Sequence, residues 1–535
     1  MSKRCQCFLV ILLLVVLSAG VVVYAMRDNK VTIDQYTRLD REAKIHPDYF
    51  GTVIPPNIAP LNFMVLEEGK RYYVKVYSKQ GKPIEVFSRT AKIMFPSRSW
   101  RKLLNKNRGQ ELYFDVFVQK QDSQWRLFSR TSNKIAHEDI DGFLVYRKMH
   151  PTHTHSVGPM GIYQRNLANF DETVILDSSF DKVDCLNCHT FCKKHPDKML
   201  LGVRRYYAGY APATLLIDDG KVYKIGSKFG YSSWHPSGRL AVYSINKLPM
   251  HFHLHSARDE VRDTTDVSSA LAYYLVDAGV IKTSPQFSKK ERLETWPAWS
   301  GDGRYLYFCS AETWWSGWDV QNFTSPSEKY DQIKYDLVRI SYDLDNDKWG
   351  ELETVLSAQD TGLSIAMPHI SPDGRWLLFC MCDYGYFSPW QKSSDLYMID
   401  LKEAEQTGKY EYRRLEINSD QSEAWQSWSS NSRWIVFSSK RHYGVFTKLC
   451  ITYVDTSGKV YKPVLLPQKD PEFYNSCLLT YNTPELTTWP VKNVKGELAQ
   501  AYRGPDTIEV DLPITMATPK PGEPPGQQSP WGQRE

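Results

Sequence analysis

Between residues 55 and 147, apolar and polar positions alternate in short runs, as in "RYYVKVYS" at 71, "IEVFSR" at 84, "ELYFDVFVQ" at 111, "QWRLFSR" at 124 and "FLVYRKM" at 143. A period of two sends successive side chains to opposite faces, so these runs predict strands half buried against a core. The stretch "SRSWRKLLNKN" at 97 instead places apolar residues three and four apart and predicts a short helix. Residues 55–147 therefore read as a small β-sandwich-like domain.

The second half repeats one phrase. "SSWHPSGRLAVYS" at 232, "PAWSGDGRYLYFCS" at 297, "PHISPDGRWLLFCM" at 368 and "QSWSSNSRWIVFSS" at 426 each join an apolar position, a tight polar turn, an arginine and an alternating strand. Gly238, Gly303 and Gly374 supply the positive φ that such a hairpin needs, with Ser432 in the corresponding place of the fourth copy. Further strand patterns follow three of the copies, "YDLVRISYDLD" at 335, "SDLYMIDLKEA" at 394 and "KLCITYVDTSG" at 448, so each repeat predicts about four strands. Such a unit cannot bury both faces alone, which is the signature of a propeller blade. "YYAGYAPATLLIDDGKVYKIGS" at 206 reads as another blade. "MGIYQRNLANFDETVILD" at 160 and "CLLTYNTPELTTW" at 477 read as the pieces that close the ring. The expectation is an all-β chain with a six-bladed propeller over residues 148–495 and long loops, such as "AETWWSGWDVQNFTSPSEK" at 311, gathered on one rim.

At the other end, "FLVILLLVVLSAGVVVYAM" at 8–26 carries no charge and follows Lys3 and Arg4. As a helix it would reach about 28 Å, close to the thickness of a bilayer core. Residues 1–30 are thus expected to be a cytoplasmic tip and a transmembrane anchor, with the bulk of the chain delivered outside the cytoplasm. Cleavage after Ala25 is the rival reading of the same segment. Residues 515–535, rich in Pro and Gly, are too poor in apolar groups to be expected to fold. The charge balance of 66 Lys and Arg against 61 Asp and Glu is small and dispersed, which argues against a nucleic-acid partner. An aromatic share of 13% reinforces the β reading. The sequence contains no G-x-S-x-G elbow, no G-x-G-x-x-G turn and no Walker loop.

The chemistry is concentrated in "VDCLNCHTFCKKHPDKM" at 183–199. Cys185, Cys188 and His189 form C-x-x-C-H, in which two thiols three apart would bond the vinyl groups of one haem c and His189 would be the proximal iron ligand. An exported chain reaches the compartment in which that attachment is made. Two alternatives use the same residues: a zinc site of Cys185, Cys188, Cys192 and His195, or structural disulfides. If haem is bound, His253 is the first candidate for the distal ligand, because alternation in "MHFHLH" puts His251, His253 and His255 on one side. Met199 and Met160 are the next candidates.

In "HISPDGRWLLF" the repeat resembles the propeller repeat of TolB and related bacterial extracytoplasmic proteins, a motif specific for fold and nearly silent on function. Over residues 50–480, "IPPNIAPLNF", "MGIYQRNL" and "VDCLNCHTF", in that order, make the chain similar to a family of bacterial membrane-anchored TolB-like propeller proteins. That family carries a single C-x-x-C-H and is often labelled cytochrome c biogenesis-related. The resemblance implies a single-pass protein of the bacterial inner membrane with its bulk in the periplasm, and it raises the haem reading. Three functions follow as expectations: an electron-transfer protein with a redox partner, a propeller scaffold binding a protein or glycan partner with the cysteine cluster structural or zinc-binding, or a haem enzyme.

Overall fold

The computed structural model describes residues 33–151, 160–180, 185–204, 212–248, 250–252, 260–289, 291–313 and 330–511. The apolar segment at 8–26, the candidate ligand His253 and the tail at 515–535 lie outside the described residues. No helix among the described residues is long and apolar enough to cross a membrane.

The hairpin phrase folds as its residues dictate. In each copy the turn residue two before the arginine accepts that arginine's backbone N–H: Ser237 Oγ from Arg239 at 3.1 Å, Asp302 from Arg304 at 3.0 Å, Asp373 from Arg375 at 3.2 Å and Asn431 from Arg433 at 3.1 Å. Such local side-chain acceptors pin a tight turn. Gly238, Gly303 and Gly374 sit at φ 72°, 77° and 76°, and Ser432 takes the same region at 59° without the freedom of glycine.

Each phrase supplies the first two strands of an antiparallel four-stranded sheet. In chain order, sheet 1 starts with Cys185–Phe191, sheet 2 with Ser232–Trp234, sheet 3 with Arg292–Trp299, sheet 4 with Ser364–Ile370 and sheet 5 with Glu423–Trp428. Sheet 6 is closed by chain ends brought together: Thr480–Thr487 pairs with Phe143–Met149, which continues to Met160–Asn166 and Glu172–Asp177. Phe143–Met149, expected with the sandwich, is thus hydrogen-bonded into the ring. The first strands of neighbouring sheets lie side by side from sheet 1 round to sheet 6 and back to sheet 1, so the fold is a mostly β, propeller-like circuit. Apolar clusters fill the seams between sheets, one of them around Leu186, Leu201 and Val203 of sheet 1 against Val145 and Ile162 of sheet 6.

The N-terminal unit contains a seven-stranded sheet and a three-stranded sheet. Its longest strand, Glu111–Gln119, buries every second residue, as the alternation requires. The helix Ser97–Lys106 buries Trp100, Leu103 and Leu104 on one face. Its core is continuous with Trp434, Val436, Leu449 and Ile451 of sheet 5. Asn62 Nδ2 donates to the Lys469 carbonyl at 2.9 Å, a further tie to the ring.

All six connections between second and third strands leave from one rim, because each second strand ends opposite the start of its sheet's first strand or beside it, as Arg204 does opposite Cys185 and Cys382 opposite Ser364. From sheet 2 the hairpin Met250–Phe252 with Arg262–Thr264 crosses this rim. Asp266 accepts from Tyr335 Oη at 3.1 Å, Asp263 from Tyr384 Oη at 2.5 Å, and Glu260 from Lys440 Nζ at 2.7 Å. Those partners belong to sheets 3, 4 and 5, so the hairpin spans the mouth of the ring.

Candidate functional site

The cysteine segment is the first strand of sheet 1. Its register with Lys198–Arg204 shifts between Asn187 and Thr190, so Cys188 and His189 form a bulge. Equivalent shifts fall at Trp296–Pro297, Met367–Pro368, Trp425–Gln426 and Thr483–Pro484. In those four, the first bulge residue has φ between 46° and 56°, a left-handed conformation costing on the order of 1 kcal/mol or more for a residue with a Cβ. "HTFCKKHPDK" is therefore another copy of the repeat phrase, in line with "PAWSGDGRY". Its extra hairpin residue and missing glycine hide it, and Lys193 and Lys194 take the positive φ there, at 49° and 62°.

Cys185 and Cys192 stand at opposite ends of this strand, about 20 Å apart at the rise of an extended chain. Cys185 is buried in the seam between sheets 1 and 6, and Cys192 in the seam between sheets 1 and 2, where its Sγ donates to the His235 carbonyl at 3.8 Å. His195 is exposed beside Asp197. The fold does not bring the zinc set together, and no group of three metal-ligating side chains occurs among the described residues.

His189 is 6% exposed and its two ring nitrogens have no hydrogen-bond partner within normal geometry. Burial, with Arg147 and Lys194 nearby, pushes its pKa down to about 3, so the imidazole is neutral. That is the state of an iron ligand. Met160 is close to the motif, its Sδ accepting from the Leu186 N–H at 3.3 Å, and Met199 is fully buried opposite Phe191. Cys185 points the other way in chemical terms: the residue is 2% exposed within an apolar cluster, on a backbone already paired as strand. A neutral imidazole at 189 is chemically able to ligate iron, whereas the Cys185 thiol as folded is enclosed in an apolar cluster and is not placed to bond a porphyrin.

Past the bulge, one residue per sheet occupies the same register position: Thr190, Ser233, Ala298, His369, Ser427 and Glu485. Lys194 Nζ reaches into this ring, donating to Ser427 Oγ at 2.9 Å and to Glu485 Oε1 at 3.2 Å. Burial raises the Glu485 pKa and Lys194 offsets part of that rise. His369, open to the lumen but enclosed by chain, is held below the usual histidine range by that enclosure and by Lys194. Toward the rim an aromatic layer covers the lumen: Trp296 stacks on Tyr231 at 3.5 Å and meets Trp425 edge-on at 5.4 Å.

Above that layer is a cavity of about 330 Å³ between the crossing hairpin and sheets 4 and 5. Trp390, Gln391, Gln421, Ser422, Glu260 and Lys440 line it. Glu260 receives Arg262 through both oxygens, at 2.7 and 2.6 Å, and Lys440 at 2.7 Å. Burial opposes its charge, but Arg262 and Lys440 outweigh burial and hold the carboxyl down to about 2. Arg262 lies 5.1 Å over the Trp390 ring. No single motif in the sequence marks this pocket, since its residues come from four separate stretches of chain, at 260, 383–393, 421–422 and 440–445.

No protein-family model matches the sequence, and no curated protein does. Among solved structures, the chain is similar to a luciferin-regenerating enzyme (12% identity, 60% of this chain and 95% of that one, TM-score 0.32). It is also similar to an oligogalacturonate lyase from Vibrio parahaemolyticus (11%, 74% and 100%, TM-score 0.29) and to puromycin hydrolase (15%, 61% and 45%, TM-score 0.33). At these identities and scores the similarities assign no activity, and the propeller-like architecture rests on the chain's own circuit of sheets.

Proposed function

We propose that this chain is a binding scaffold: a six-bladed propeller, held outside the cytoplasm by the N-terminal segment, whose loop rim takes a glycan or protein partner. The observation that carries the reading is the rim pocket. Its wall is made by loops of sheets 2, 4 and 5, and its charged floor is already organised by the Glu260 ion cluster. The thermal stability of the folded chain, measured against a panel of soluble glycans and peptides, tests it. A specific member should raise the melting temperature, and Trp390→Ala should abolish the rise; a rise that Trp390→Ala leaves intact, or no rise with any member, refutes the rim.

A c-type haem at Cys185, Cys188 and His189, with an electron-transfer role, is the second reading. The buried, neutral imidazole of His189 favours it. A pyridine haemochrome spectrum decides between the two.

A further inference from the structure

We infer that the rim pocket selects a small polyhydroxylated carboxylate, that is, a sugar acid, whether free or as a residue of an acidic glycan. The inference rests on the scaffold reading and names the ligand of the same pocket.

Arg262, Glu260 and Lys440 carry two positive charges and one negative, and their side chains are 9%, 12% and 6% exposed. A net positive charge this deeply placed is stabilised by an anion that enters beside it. Lys440 Nζ has three hydrogens, and Glu260 Oε2 is its one hydrogen-bond acceptor among the described residues. Because Lys440 also lines the cavity, its remaining donors are available to a carboxylate there. The other charged groups of the wall, Asp383 and Lys392, offset each other and leave the excess on the floor.

The rest of the lining addresses hydroxyl groups. Gln421 offers both donors and acceptors, as sugar hydroxyls require; Ser393, whose Oγ accepts from the Asp383 N–H at 3.2 Å, keeps its own hydrogen to donate, Ser422, which donates to the Pro389 carbonyl at 3.1 Å, is left as an acceptor, and Trp390 supplies an apolar face. Gln391 is partly committed, its Nε2 donating to the Tyr384 carbonyl at 2.6 Å. A volume of about 330 Å³ lies at the small end of ligand pockets, which suits one sugar unit and excludes a folded peptide segment.

The test is a titration of the purified chain, followed by tryptophan fluorescence and calorimetry, with glucuronate, glucose and an acidic oligosaccharide of glucuronate. Glucuronate is expected to bind at least tenfold more tightly than glucose. Lys440→Gln should remove at least tenfold of that affinity and with it most of the preference over glucose, and Trp390→Ala should weaken both sugars. Unchanged melting temperatures for the variants exclude misfolding as the cause. Equal affinity for glucose and glucuronate, or full glucuronate affinity in Lys440→Gln, overturns the sugar-acid inference and leaves the scaffold standing. Binding of no saccharide overturns the inference, and the panel described above then decides the scaffold separately. Tighter binding of the oligosaccharide than of glucuronate assigns the source to a glycan, and equal binding per unit assigns it to the free acid.

Discussion

Replacing Asp266 by Asn should make this protein more stable at pH 8 while changing little near pH 4. Asp266 is 2% exposed at the base of the crossing hairpin, where Asn246 Nδ2 and Tyr335 Oη each donate to Oδ2 at 3.1 Å. Burial is the dominant influence and pushes its pKa up to about 7, against the combined pull of Ser269, Asn246 and Tyr335. With the folded value raised above the unfolded one, the native state holds more protons between about pH 4 and 7. Stability is therefore highest below the unfolded pKa, falls as the pH rises through that window, and levels off above it. A shift of this size corresponds to about 4 kcal/mol, of which about 2.5 kcal/mol falls between pH 5 and pH 8. Asparagine is nearly isosteric, keeps an oxygen for Asn246 and Tyr335, and does not titrate. Urea unfolding at pH 5 and pH 8 should show the variant gaining about 2.5 kcal/mol on wild type across that interval. Glu294, also pushed up to about 7 by burial, titrates in both proteins and cancels in the comparison. A difference between variant and wild type that is the same at both pH values would refute the assignment of a buried, proton-holding carboxyl at 266.

Two further outcomes address the strand of sheet 1. Lys194→Met should cost about 3 kcal/mol by leaving Glu485 without its cation, and adding Glu485→Gln should restore part of it in urea unfolding; strictly additive losses would show that the lumen pair is not coupled. Protein made with the haem-attachment machinery should give no covalent haemochrome band, and Cys185→Ala should cost about 1 kcal/mol as the loss of a buried core group. A covalent band that disappears in Cys185→Ala would replace the core reading with attachment.

Much of the ring was legible because its signal is local. Four copies of one turn, with a polar acceptor two before an arginine, announce four hairpins, and the structure shows the same hydrogen bond in each. The copy at "HTFCKKHPDK" escaped because cysteine spacing is read as chemistry before it is read as strand, and Lys193 and Lys194 take left-handed conformations that composition does not advertise. The rim pocket was illegible for another reason. Glu260, Trp390 and Lys440 meet only after a hairpin from sheet 2 has crossed the mouth of the ring, and no local pattern encodes a contact between loops so far apart in the chain. The lumen ring lies between these cases: the register that aligns His369 with Ser427 was present in the repeats, whereas Lys194 entering between them was not.

The closure of sheet 6 also imposes a schedule on folding. Arg147 Nε donates to Asn482 Oδ1 at 2.8 Å between residues 335 positions apart, so the last strand of the ring must emerge from synthesis before the first can be covered. Until then the edge of Phe143–Met149 lacks its partner Thr480–Thr487, and the seam that encloses Cys185 and His189 has only part of its wall. Once Thr480–Thr487 docks, both side chains are shut away. Any modification of that thiol or imidazole therefore belongs to the chain before sheet 6 closes, and the order of folding becomes part of the chemistry of the segment.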